Sequence, residues 1–209
     1  MSEIPQKSPI PLDMDGLREL YFKEFCPLYN YLCSKLESLP SELHFEIAAS
    51  FDHLMRAGLV INGTKYEAEN IAKASGHLKR ATFDAFKLLY KYTTRPLWKK
   101  LTRSRYESVP GFVEDVNEKW IKANKAVEAA RGLERTSRGD SPEQWSAAFD
   151  EWKKLRIITQ ELEEMLVSDR AKLARRKYAR SWILGFIATT LSGVVVTYLV
   201  RFIDALLAR

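Results

Sequence analysis

Residues 182–200 constrain this chain more than any other segment. They read WILGFIATTLSGVVVTYLV, nineteen positions with no charge and no proline. As a helix that stretch rises ~28 Å, close to the hydrocarbon thickness of a bilayer. Just before it lies a basic run of Arg170, Lys172, Arg175, Arg176, Lys177 and Arg180. The expected architecture is a helical domain held on a membrane by a single C-terminal transmembrane helix.

Charge placement supports that reading. The net charge is +6, and residues 170–180 contribute six cations and no anion. The remainder is balanced at 27 basic against 27 acidic residues. The basicity therefore sits where headgroups would be, with Arg175, Arg176, Lys177 and Arg180 as the membrane-surface residues. Nucleic acid is not expected as a direct ligand, and membrane lipids are. The positive-inside rule places the N-terminal domain in the cytoplasm. Residues 201–209 form a short interfacial tail, since Arg201 and Asp204 interrupt the apolar run.

The rest reads as helices. Residues 1–13 hold three prolines and no apolar core, so they are expected to be a disordered arm rather than a secretory signal. A first helix spans about 15–36, with Pro27 inside it predicting a kink or break. A second spans about 41–58, with Leu43, Ile47, Phe51, Leu54 and Gly58 at helical spacing. Residues 60–63 are a turn. Thr64 and Glu67 form a capping box for a third helix reaching about 93, where Arg95-Pro96 ends or kinks it. Its expected buried stripe is Ile71, Ala74, Leu78, Ala81, Ala85, Leu88, Leu89 and Tyr92. Residues 97–111 read as a connector, 112–133 as a fourth helix and 134–140 as a loop. Ser141-Pro142-Glu143-Gln144 starts a helix with no breaker before the end of the apolar segment. The fold class is all-α: an up-and-down bundle over 14–168, a basic juxtamembrane segment over 169–181, then the transmembrane helix.

Chemistry-bearing constellations are sparse. Cys26 and Cys33 lie seven apart on one helix, too far for a bridge and consistent with reduced thiols. No His/Cys/carboxylate cluster has metal-ligand spacing, and no glycine loop fits a phosphate. No catalytic residue, metal or cofactor is assigned. On the third helix Asn70, His77 and Asp84 recur every seven residues. On the second, Glu46 and His53 form a matching edge, with Asp52 and Arg56 as an i,i+4 pair on the other side. If the two helices pack antiparallel, a polar seam of His53, Arg56, Asn70, His77, Arg80 and Asp84 results. It reads either as a nuclease-like site, with histidine as acid–base catalyst and arginine on phosphate, or as a network fixing helix register. Within the apolar segment Gly185, Thr189 and Gly193 recur every four residues, with Ala188 and Ser192 alongside. Such a small-residue stripe permits close helix approach, hence a homo-oligomer and, with its hydroxyls, a pore.

Residues 41–58, SELHFEIAASFDHLMRAG, are followed after a short turn by residues 66–92, YEAENIAKASGHLKRATFDAFKLLYKY. This pair of helices, the second with an acidic start and a His-Leu-x-Arg-Ala-x-x-Asp core, resembles HEPN-like helical domains. With the C-terminal segment, it is similar to small membrane-anchored HEPN-like proteins that accompany RNA-targeting CRISPR effectors and related anti-phage systems. That family's ribonuclease signature, an arginine four to six residues before a histidine, is missing at His44, His53 and His77. The resemblance thus implies the non-nuclease branch: oligomeric effectors that permeabilise or depolarise the inner membrane during phage infection. The alternatives are a membrane-anchored adaptor that recruits a cytoplasmic defence protein, and a divergent HEPN ribonuclease acting through His77, Arg80 and Asp84.

Overall fold

The structure, a computed structural model, describes residues 13–37, 40–57, 60–61, 64–65, 67–103, 106–136 and 142–207; at 42, 60–61, 64–65, 136, 142–143, 193–195 and 197–207 it describes the backbone alone. The described chain is helical apart from one small hairpin. Its elements are α1 (Met14–Glu19), a π-helical turn π1 (Leu20–Phe25), α2 (Cys26–Leu36), α3 (Ser41–Ala57), strands β1 (Val60–Ile61) and β2 (Thr64–Lys65), and α4 (Glu67–Leu89). A second π-turn, π2 (Tyr90–Thr94), is followed by α5 (Arg95–Leu101), α6 (Phe112–Thr136), α7 (Pro142–Val167) and α8 (Asp169–Leu207). The arm expected over residues 1–13 lies outside the described residues but for Asp13, which caps α1.

Both interior prolines are absorbed in the same way. Pro27 and Pro96 cannot donate the next helical hydrogen bond, and their rings crowd the preceding turn. In each case a wider π-turn comes first, and the residue before proline donates its N–H five residues back: Cys26 to Tyr21 O and Arg95 to Tyr90 O. The expected break at Pro27 is therefore a π-turn within a continuing helix.

The core is one apolar cluster. Phe25, Leu28 and Leu32 meet Ala81, Ala85, Phe86 and Leu89, and Trp152, Leu155 and Leu162 close it from α7. The ring of Phe86 stacks on fully buried Trp152 at 6.0 Å. Two buried hydroxyls pair across the core: Thr94 Oγ1 lies 2.7 Å from Thr159 Oγ1, which donates to Leu155 O at 2.8 Å.

Several expectations need correction. Val60–Ile61 and Thr64–Lys65 pair as an antiparallel hairpin, with Val60 opposite Lys65 and Ile61 opposite Thr64. Thr64 is thus a strand residue, not the N-cap of α4. The intervening Asn62-Gly63 pair, which lies outside the described residues, is a favoured two-residue hairpin sequence. Tyr92 is 44 % exposed and so falls outside the buried stripe expected of the third helix, whereas Phe86 is wholly buried; on α3 the periodic Phe51 is 50 % exposed. The helix α6 runs on to Thr136, and α5 occupies the first third of the supposed connector.

The last helix does not run unbroken from residue 143. It stops at Val167 and restarts at Asp169. Ser168 makes the break: its hydroxyl donates to Met165 O at 2.6 Å and accepts from the Ala171 N–H at 3.3 Å. That is N-cap behaviour, reinforced by Asp169 in the first turn of α8. Among the described residues no helix is long and apolar enough to cross a membrane. The side chains at 193–195 and 197–200 lie outside them.

Candidate functional site

Two places carry the sequence-derived candidates. The first is the face between α3 and α4, which pack antiparallel on either side of the hairpin. Residues seven apart on a helix share a face, so Glu46 and His53 on α3 meet Asn70 and His77 on α4. His53 Nδ1 lies 3.1 Å from Asn70 Oδ1, and His77 Nδ1 lies 2.8 Å from Glu46 Oε2. The two imidazole rings stack, with centroids 5.3 Å apart and planes 22° from parallel. Arg80 donates from Nε to the same Glu46 oxygen at 3.1 Å. Its Nη2 also lies 2.9 Å from His77 Nδ1. That nitrogen cannot donate to Glu46 and accept from Arg80 together. A carboxylate is the stronger acceptor, so we place the proton on Nδ1 and read the close Arg80 approach as two donors converging on one anion. One turn from Glu46, buried Ser50 donates to Ala74 O at 3.0 Å and ties the helices together.

The seam is therefore smaller than the sequence suggested. It holds Glu46, His53, Asn70, His77 and Arg80. Arg56 faces the other way and pairs with Asp52 at 3.0 Å on the exposed side of α3. Asp84 pairs with Lys87 at 3.0 Å, and Lys87 reaches Glu134 at 2.9 Å, which links α4 to α6. Trp152 Nε1 donates to Glu134 at 2.7 Å. Burial opposes the charge on Lys87, but its two carboxylates outweigh it and hold the ammonium above its usual range. Chemically, the seam holds a proton between His77 and Glu46 and commits the charge of Arg80 to that same carboxylate. Among the described residues no group of three His, Cys, Asp or Glu side chains is placed to hold a metal ion.

The second place is α8. Its first turns are built into the bundle, with Ala171 and Ala174 fully buried. Arg170 donates to Asp115 Oδ2 at 2.7 Å and to Pro110 O at 3.0 Å, and its guanidinium lies over the Phe112 ring. Arg175 donates to Leu166 O at 2.9 Å and Ala171 O at 3.2 Å, satisfying a carbonyl at the end of α7. Arg175 is thus a helix cap, whereas Arg176, Lys177 and Arg180 are open to solvent.

Beyond Arg175 every residue through Ser192 is exposed. Trp182, Leu184, Phe186 and Leu191 are each at least 60 % exposed, and Ile183 and Ile187 about half. Of the small-residue stripe, Gly185, Ala188, Thr189 and Ser192 lie on this bare helix, and a Cβ added at Gly185 meets nothing within 4 Å. The side-chain surroundings of Gly193 lie outside the described residues. The hydroxyls turn inward: Thr189 donates to Gly185 O or Phe186 O, Thr190 to Phe186 O and Ser192 to Thr189 O, all at 2.8–3.0 Å.

A further feature was missed in the sequence. An apolar groove of about 410 Å³ runs between α1–π1 and α3, floored by Leu78 of α4. Phe22, Phe45 and Met55, at 67 %, 79 % and 76 % exposure, stand out on the same two elements. Phe45 and Met55 are not among the groove's lining residues and are separate exposed apolar side chains of α3.

No family model, curated protein or solved structure matches this chain. The resemblance of residues 41–92 to HEPN-like domains rests on those residues alone.

Proposed function

We propose that this chain is a membrane-anchored effector whose distal α8 enters the bacterial inner membrane and self-associates there, depolarising it. One observation carries the anchoring: among the described side chains the strongly apolar surface of α8 from Trp182 to Ser192 is exposed throughout and left uncovered by the chain's own bundle. A helix apolar all round belongs inside a large core or a bilayer. The described stretch 182–192 rises only about 17 Å, but the sequence continues apolar to Val200, and α8 continues to Leu207 without a break. The inward hydroxyls of Thr189, Thr190 and Ser192 support this reading, because each is satisfied without water. Self-association draws on the open face at Gly185, and the anti-phage setting on the resemblance.

The test is the membrane potential of bacteria expressing the full chain, a chain ending at Tyr178, and Gly185→Leu with Gly193→Leu. Depolarisation by the full chain alone is the expected result. Depolarisation undiminished by the double substitution overturns self-association through the stripe. The adaptor is favoured by the exposed apolar groove on the bundle. For an adaptor, function survives when residues 181–209 are exchanged for an unrelated span. Cleavage of RNA by the purified protein, lost in His77→Ala or Arg80→Ala, would instead establish the ribonuclease.

A further inference from the structure

The groove between α1–π1 and α3 has a candidate occupant in the chain itself. One wall carries Tyr21 and Phe22, the other Ile47, Phe51 and Leu54, with Leu78 beneath. It is an aromatic-lined apolar trough, the kind of surface that takes up an extended proline-rich strand. The twelve residues before α1 have that composition. Ile4, Pro5, Pro9, Ile10, Pro11 and Leu12 are separated by few polar residues, and Lys7 is their one cation.

Position brings segment and groove together. Met14, the first residue of α1, lines one end of the groove. Asp13 caps α1 by accepting from the Gly16 N–H at 2.7 Å, with φ −64° and ψ 177°. At Asp13 itself the backbone is polyproline-like. Length suffices as well. The nine residues 4–12 in polyproline II geometry reach ~28 Å, whereas the seventeen residues of α3 rise ~26 Å. Tethering at the rim also gives the segment a high effective concentration that a free partner lacks.

We propose that residues 4–12 dock in this groove and cover Phe22 and Phe51. This stands apart from the anchoring by α8 and survives if that reading fails.

Trypsin reads the proposal directly, because Lys7 is followed by Ser8 and cuts only an undocked arm. The full chain in detergent micelles is digested briefly, and loss of residues 1–7 is followed by intact mass. Docking predicts cleavage at Lys7 at least about fivefold slower in the natural chain than in Phe22→Ser with Phe51→Ser. Ile10→Ser with Leu12→Ser, which leaves the bundle untouched, should release the site equally. Unchanged circular dichroism establishes that the groove variant is folded. Equal cleavage rates in all three chains overturn the proposal and leave the groove to a separate partner. Protection that disappears on dilution overturns it in favour of a second copy.

Discussion

The two halves of α8 invert the usual relation between apolarity and burial. The proximal half, Asp169 to Arg175, is mostly charged, yet it is docked: Ala171 and Ala174 are buried, Arg170 grips Asp115 and Pro110, and Arg175 caps α7. The distal half, from Arg176, is far more apolar and touches nothing else in the chain among its described residues. In a domain that completed its own core the more apolar half would be the buried one. Under the proposed anchoring, the apolar environment of the distal half is the bilayer. The break at Ser168 starts α8 as a separate helix, and the Arg170 contacts to Asp115 and Pro110 hold its first turn on the bundle.

The largest expected effect comes from changing the distal half alone. Ile183→Ser, Leu184→Ser, Ile187→Ser and Leu191→Ser together should move the protein from the membrane pellet to the supernatant, while the thermal unfolding of the bundle stays unchanged. A parallel drop in bundle stability would show that these side chains pack on the bundle after all. Next is Ala174→Leu in the proximal half. The site is fully buried, so overpacking should cost about 1–3 kcal/mol of bundle stability with membrane pelleting intact. Chemical denaturation of a chain ending at Tyr178 measures it.

The smallest effect is one of pH. Lys87, raised by Glu134 and Asp84, has a higher pKa folded than unfolded. It therefore stabilises the bundle fully below the unfolded value, about 10.4, and that contribution is lost as pH rises through the folded value. Lys87→Met should flatten the decline in melting temperature between about pH 8 and about pH 11. The distal half has no such tie, so its membrane retention should not change over the same range.

Much of this architecture was legible because local chemistry decided it. The helices around Ala74, Leu78, Ala81 and Ala85 follow from 3.6-residue periodicity, and the placement of Glu46, His53, Asn70 and His77 on facing edges from spacings of seven. Other features depended on tertiary partners. Arg56 and Asp84 share a sequence pattern with the seam, but the pairing of Arg56 with Asp52 and of Asp84 with Lys87 takes them out of it. Phe51 fits the periodic stripe of α3, yet the groove leaves its ring half exposed. The Ser168 cap was written in Ser168-Asp169 and was masked by a continuous helical pattern on both sides. The roles of Arg170 and Arg175 were hidden because a basic run reads as a solvated collar until its hydrogen-bond acceptors are known.

The central claim is that the distal half of α8 lies in lipid. The most direct measurement attaches a nitroxide at Leu184, at Leu191 and, as reference, at Arg176 in the full chain reconstituted in nanodiscs, and compares collisions with oxygen and with a water-soluble nickel chelate. High oxygen and low nickel accessibility at Leu184 and Leu191, reversed at Arg176, is the result this account predicts. Nickel accessibility at Leu184 and Leu191 equal to that at Arg176, or protection from both reagents alike, would contradict it and place this helix in water or against protein.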